Sequence, residues 1–174
     1  DVGGGTTDIA VVNDGGVEGT KMFGIGGRVF TKSIERELNI EYVQAEALKL
    51  GLSDGRTPSA KKQQVEDALR KTLGIWLSGV ELALSEFQAL DQLPNQILLC
   101  GGGASLEMLQ DILVSSDWYK SLPFTKKPTV KLIQPKEVVS IVDSTGDIDD
   151  HTYITAMGLL RVGADTLGLF ELPG

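Results

Sequence analysis

The sequence predicts an α/β fold, a mixed β-sheet flanked by helices, on three observations. Two apolar runs, Thr7 to Val12 and Val17 to Gly24, flank Asn13-Asp14-Gly15-Gly16, whose residue types supply the positive φ angles of a tight hairpin. Farther on, the apolar run Gln96 to Cys100 meets Gly101-Gly102-Gly103 and then a helical pattern from Ser105 to Leu113, a strand–turn–helix unit. Between them Val65, Leu69, Leu73, Trp76, Val80, Ala83, Phe87 and Leu90 recur three or four apart, the spacing of a long amphipathic helix.

The remaining elements follow in order. Gly26-Gly27 ends the hairpin, and Val29, Phe30, Ile34 and Leu38 predict a helix. A second helix is expected from Glu41 to about Leu50, with Gly51 ending it and Ser53 to Ser59 forming a polar loop. Gly74 and Gly79 fall inside the long helix, each costing about 1 kcal/mol relative to alanine, and mark either a bend or a close contact. After a break at Leu93-Pro94-Asn95 come the strand–turn–helix unit and two β-like stretches, Val130 to Ile133 and Val138 to Val142. An acidic loop, Asp143 to Asp150, leads into a closing helix from Tyr153 to Val162.

Composition narrows the function classes. The 174 residues with 41% hydrophobic content suffice for one core, and 24 Asp and Glu against 16 Lys and Arg give a formal charge of -8. With no long basic run to follow a phosphate backbone, nucleic acid is not expected as a direct partner. Cys100 stands alone inside an apolar run, the usage of a reducing compartment and of a small buried hydrophobe. No apolar stretch approaches the roughly 20 residues of a membrane-spanning helix. Asp1 already lies inside a motif, so the sequence is expected to be part of a longer polypeptide.

That motif is Asp1-Val2-Gly3-Gly4-Gly5-Thr6-Thr7-Asp8. A turn over Gly3 to Thr6 sets Asp1 opposite Asp8, and two like charges facing each other call for a cation or for one side chain turned away. A hydrated Mg²⁺ between them and a nucleotide's phosphates would satisfy both. The three glycines permit backbone N–H groups to point at one anion, with the Thr6 and Thr7 hydroxyls as further donors, although Gly3-Gly4-Gly5 alone would equally suit an ordinary hairpin. The corner Ile97 to Ser105 exposes bare backbone at a strand-to-helix junction, where a flat base or a phosphate could approach.

With these residues in view, Asp1 to Val12 resembles the second phosphate motif of the actin, heat-shock-chaperone and sugar-kinase superfamily, and Ile97 to Ser105 resembles its adenosine motif. Gly24-Ile25-Gly26-Gly27 with Thr31, followed by Ala45-Glu46-Ala47-Leu48-Lys49, is similar to the bacterial branch holding the cell-division and type IV pilus assembly actin homologues. Glu37-Leu38-Asn39-Ile40 looks closer to the pilus member, and Tyr153 to Leu160 resembles the alanine-glycine helix that closes the lobe.

The resemblance implies a ribonuclease H-like second lobe of an actin-like ATPase spanning 1–174, with a reduced helical insertion around 41–92 and the first lobe lying elsewhere. It implies phosphate contacts at Gly3, Gly4, Gly5, Thr6 and Thr7, a metal role for Asp1 and Asp8, and Asp1 orienting the attacking water. Gly101, Gly102 and Gly103 would face the adenosine, and Glu46 and Lys49 would reach the ribose and base, unless they form only a solvated ion pair. His151, the sole histidine, has no partner at catalytic spacing and is expected as a surface loop residue, and Trp76 and Trp118 as core or rim. Lacking an anchoring strand, Asp1 to Gly5 are expected to be disordered or displaced.

The implied ligands are ATP or ADP with Mg²⁺. The implied activity is slow hydrolysis by the full-length protein and none by the isolated lobe. The function expected is a cytoplasmic scaffold, peripheral to the inner membrane, that organises a type IV pilus or secretion machine through lobe closure or polymerisation. Its partners would be its own first lobe, inner-membrane pilus or division proteins, and further copies of itself. A cell-division role, a sugar or metabolite kinase, and an adaptor that binds no nucleotide are the alternatives.

Overall fold

A computed structural model describes residues 1–138 and 141–168. The hairpin forms as expected: β1, Thr7–Asn13, pairs antiparallel with β2, Gly16–Phe23, and Asn13 faces Gly16 across the turn. The two turn residues carry positive φ, 48° at Asp14 and 81° at Gly15, the mirror-image turn whose twist matches that of the strands. Ile25 to Gly27 then lead into α1, Gly27–Leu38, which buries Phe30, Thr31, Ser33 and Ile34 and ends at Asn39 in the left-handed region.

The next helix, α2, spans Tyr42–Ser53, and thus runs through Gly51 instead of ending at it. Gly51 answers a packing need: a Cβ there would lie 2.8 Å from Thr57 Oγ1, because Thr57 folds back and donates its backbone N–H to Gly51 O at 3.0 Å. The long helix α3 covers Ser59–Ser85, starting at a residue expected in the loop and stopping before Phe87 and Leu90, which pack on the core from the turns that follow. Of its two glycines, Gly79 marks a close contact, since a Cβ would lie 2.9 Å from the Phe23 ring of β2, whereas one at Gly74 would meet nothing within 4 Å.

Gln96–Leu99 forms β3, parallel to β4 at Thr129–Leu132. The helix expected from Ser105 begins later, because Gly102–Ser105 form a 3₁₀ turn and α4 covers Glu107–Ser115. Of the expected β-like stretch 138–142, residues 139 and 140 lie outside the described ones, and 138, 141 and 142 belong to no strand. A 3₁₀ turn, His151–Tyr153, opens α5, Ile154–Thr166.

Antiparallel and parallel pairing are therefore both present, as two separate two-stranded sheets. The core lies between them and the helices: Phe30 and Ile34 of α1 and Leu69, Leu73 and Trp76 of α3 are at most 1% exposed. Burying a side chain of this size stabilises by about 1.5–3 kcal/mol. Polar groups in this core are paired: Thr72 donates to Ser33 Oγ at 2.8 Å, and Ser33 donates to Ala68 O at 2.7 Å, tying α1 to α3. Trp118 is core as well, its indole N–H donating to Leu113 O at 3.0 Å. Among the described residues no helix is long and apolar enough to cross a membrane.

Candidate functional site

Gly3 N–H donates to Thr6 O at 2.9 Å, closing a tight turn over Gly4 and Gly5. The first turn of α1 holds this loop from behind: Gly27 N–H donates to Gly3 O at 2.9 Å and Arg28 N–H to Gly4 O at 2.8 Å. Two donors that a helix start normally leaves unsatisfied are thus used on loop carbonyls. The carbonyls face the helix, and among the described residues the N–H groups of Gly4, Gly5 and Thr6 donate to no protein acceptor. Free adjacent amides of this kind suit an anion such as a phosphate. The Arg28 side chain, which the sequence did not single out, lies along the same loop, its Nε 3.5 Å from where a Cβ on Gly4 would stand.

Asp1 and Asp8 face each other as expected, each donating its N–H to the other's carbonyl at 2.8 Å. The expectation that Asp1 to Gly5 would be displaced is corrected here. Two residues are anchor enough, because Val2 donates to Cys100 O at 2.8 Å, accepts from Gly103 N at 2.7 Å, and is 1% exposed. Asp1 accepts from the Thr155 hydroxyl of α5, and Asp8 from the Thr6 hydroxyl at 2.9 Å. Each carboxylate has its own hydroxyl donor and further lone pairs free, a set that fits Mg²⁺ held through water, which takes one or two carboxylates beside substrate phosphates.

Thr7 turns its hydroxyl inward. It accepts from Trp76 Nε1 at 2.9 Å and donates to Ile25 O at 2.7 Å, so what Thr7 offers the loop is backbone.

At the second corner Gly101 adopts φ 85°, and a Cβ there would overlap the Asp1 carboxylate and the Val2 carbonyl. A Cβ on Gly103 would lie 2.5 Å from Val2 Cγ1, while one on Gly102 would meet nothing. Two of the three glycines thus let this corner dock on Asp1 and Val2, and only Gly102 has open space beside it.

Lys49 of α2 reaches the same neighbourhood, donating to Gly27 O at 3.0 Å and Thr31 Oγ1 at 2.8 Å and pairing with Glu46 at 2.9 Å. Its side chain is 11% exposed, so this is not the solvated pair left open by the sequence. The Thr31 hydroxyl has both Gly27 O and the Glu46 carboxylate within reach of its single proton. Lys49, Gly102, Gly103 and Ser105 line one depression of about 50 Å³ between α2 and the glycine corner.

His151 finds its contact in space, its Nε2 standing 2.9 Å from Ser105 Oγ while its carbonyl accepts from Gly101 N at 3.1 Å. No spacing in the chain announces that contact, since 46 residues separate the two side chains.

The family model described as cell division protein FtsA matches residues 1–158. The FtsA of Enterococcus hirae is 34% identical over 130 residues, covering 64% of this chain and 29% of its own length. That of Enterococcus faecalis (strain ATCC 700802 / V583) is 28% identical over 182 residues, covering 88% and 39%. The chain thus spans about a third of the length of these relatives.

Among solved structures, a PilM-PilN type IV pilus biogenesis complex matches with a TM-score of 0.67 and 20% identity, over 94% of this chain and 44% of that one. The ethanolamine utilization protein EutJ from Carboxydothermus hydrogenoformans matches at 0.54 and 21%, over 75% and 42%. At such identities these two likenesses concern the fold, which is that of the actin-like ATPases. With the family model extending over residues 1–158, from the first glycine loop into α5, the chain belongs to the FtsA family of cell division proteins.

Proposed function

We propose that residues 1–174 form the second lobe of a longer actin-like ATPase and hold the phosphates of Mg-ATP at Gly3 to Thr6. The observation that carries this is the loop itself, clamped from behind by Gly27 and Arg28 and leaving the N–H groups of Gly4, Gly5 and Thr6 free. The depression between Lys49 and Gly102 takes the nucleoside end, with Glu46 half-exposed at its edge. ATP supplies the phosphoryl bond, and the chain's own part is to bind and orient. Asp1 and Asp8 would hold the ion through its water shell, and Asp1, accepting from the Thr155 hydroxyl, would orient the attacking water. The rest of the catalytic set belongs to the first lobe, so turnover by this lobe alone is negligible.

Nucleotide occupancy then sets the angle between lobes and, through it, polymerisation or the capture of partners at the inner face of the membrane. Family membership favours division proteins as those partners. The pilus reading has the fold likeness to the PilM-PilN complex behind it. Calorimetric titration of the full-length protein with Mg-ATP tests the site: saturable binding is expected, weakened at least about tenfold by Lys49→Met, which removes the cation paired with Glu46 and bonded to the Gly27 carbonyl. No heat and no rise in melting temperature at millimolar Mg-ATP would overturn the proposal and favour a nucleotide-free adaptor.

A further inference from the structure

Arg28 stands where a helix least favours a cation. It is the second residue of α1, in a first turn that holds no Asp or Glu, and the aligned peptide dipoles make that end of the helix positive. An acidic side chain is the ordinary choice there. Nothing local offsets the arginine, which is exposed and pairs with no carboxylate among the described residues. A local rule broken without local compensation points to a functional demand.

The side chain turns back over the phosphate loop. Its Nε and Nη2 lie 3.5 and 3.6 Å from where a Cβ on Gly4 would stand, and its Nη1 lies 3.8 Å from that of Gly5. The guanidinium thus covers the tip of the loop, where Gly4 and Gly5 supply two of the three free N–H groups.

Charge around the loop calls for such a group. Asp1 and Asp8 face each other across the loop's base, and a polyphosphate adds further negative charge. Of the two cations beside the loop, Lys49 is tied to Glu46 and Gly27 O, whereas the side-chain donors of Arg28 are unused among the described residues. A guanidinium presents a planar fork that matches two oxygens of one phosphate.

We propose that Arg28 takes the terminal phosphate of the nucleoside triphosphate and is the residue by which this lobe distinguishes ATP from ADP. This role rests on the phosphate site proposed at Gly3 to Thr6 and names what reads its occupant. The nucleoside end lies beside Lys49, Gly102 and Gly103, and Gly103 packs on Val2 at the root of the loop. From there the phosphates run toward the tip, so the last of them meets Gly4, Gly5 and the guanidinium. A ligand shifts a conformational equilibrium only through contacts that differ between the states, and the terminal phosphate is the group that ADP lacks. With ATP the fork closes the open side of the loop, and with ADP it returns to solvent.

The test titrates the full-length parent, Arg28→Gln and Arg28→Lys with Mg-ATP and with Mg-ADP by calorimetry. The parent is expected to bind Mg-ATP at least about tenfold tighter than Mg-ADP. Arg28→Gln is expected to lose at least about tenfold in ATP affinity while its ADP affinity stays within about twofold of the parent. Arg28→Lys, which keeps the charge but not the fork, is expected to fall between. Without nucleotide, Arg28→Gln is expected to melt at or above the parent's temperature, since a cation leaves the positive end of α1. Equal losses for both nucleotides would overturn the proposal: with a lower melting temperature they assign the side chain to bracing the loop, and without one to a phosphate that both nucleotides share. An unchanged ratio of the two affinities, or a parent that binds both equally, would overturn it too. A parent that binds neither nucleotide overturns the phosphate site as well, an outcome read from the parent alone.

Discussion

Gly26→Ala joins the fold to the site in a single methyl group. Gly26 sits at φ -150°, ψ -164°, extended backbone that alanine adopts freely, so the substitution acts only through space. The new Cβ would lie 2.5 Å from Gly3 O, 2.9 Å from Thr6 N and 3.0 Å from Gly5 C, all backbone atoms of the phosphate loop with no rotamer to escape into. Relieving the overlap costs about 1–3 kcal/mol. Pushing the loop off α1 also lengthens the bonds from Gly27 N to Gly3 O and from Arg28 N to Gly4 O, worth about 0.5–1.5 kcal/mol each. Alanine returns about 0.4–1 kcal/mol by restricting the unfolded chain.

The net expectation for Gly26→Ala is a loss of about 3 kcal/mol, read from urea unfolding. In the full-length protein, ATP affinity should fall at least about a hundredfold as the three free amides move. Gly24→Ala is the matched control, since its Cβ meets nothing within 4 Å, and should keep only the unfolded-chain gain of about 0.4–1 kcal/mol. If Gly26→Ala matched Gly24→Ala in both stability and affinity, the docking of Gly26 under the loop would be wrong.

Thr7→Val removes the hydroxyl between Trp76 and Ile25 and strands a buried indole N–H, so it should destabilise by about 1–3 kcal/mol. Thr7→Ser keeps both bonds and should lose less; equal losses in urea unfolding would remove the hydroxyl from the argument. In α3, Gly74→Ala should raise the urea midpoint by up to about 1 kcal/mol of stability. Gly79→Ala should lower stability by about 1–3 kcal/mol through the Phe23 ring, so like signs for the two would contradict the packing. In the acidic loop, the Thr145 hydroxyl, then the Thr145, Ile148 and Gly146 amides, hold the Asp143 carboxyl below its ordinary value, at about 2. A depressed carboxyl stabilises its turn above the unfolded value of 3.8, and that stabilisation disappears as pH falls through about 2. Carboxyl ¹³C NMR should therefore find Asp143 still ionised at about pH 3, and a midpoint near 3.8 would count against the turn.

The hairpin and the glycine turn after β3 were legible because glycine position and alternation are local signals. Asn13, Asp14 and Gly15 specify a turn whatever lies far away. The end of α2 was not legible, for the opposite reason. Gly51 punctuates in sequence, but its missing side chain answers to Thr57, which loops back from beyond the helix. Lys49 was recognisable as a candidate, yet its bonds to Gly27 and Thr31 required the packing of α2 on α1. His151 with Ser105 and Thr155 with Asp1 join segments 46 and 154 positions apart, and no periodicity reports a contact of that range.

The indole of Trp76 also has an optical consequence. Its N–H is tied to the residue directly after the phosphate loop, whereas the N–H of Trp118 is tied to Leu113 in another part of the core. A shift of the loop is thus expected to reach the Trp76 indole through Thr7, while Trp118 has no such bond to Thr7. With Trp118 replaced by phenylalanine, the emission of the remaining tryptophan becomes a built-in gauge of loop position, readable in real time without any attached dye.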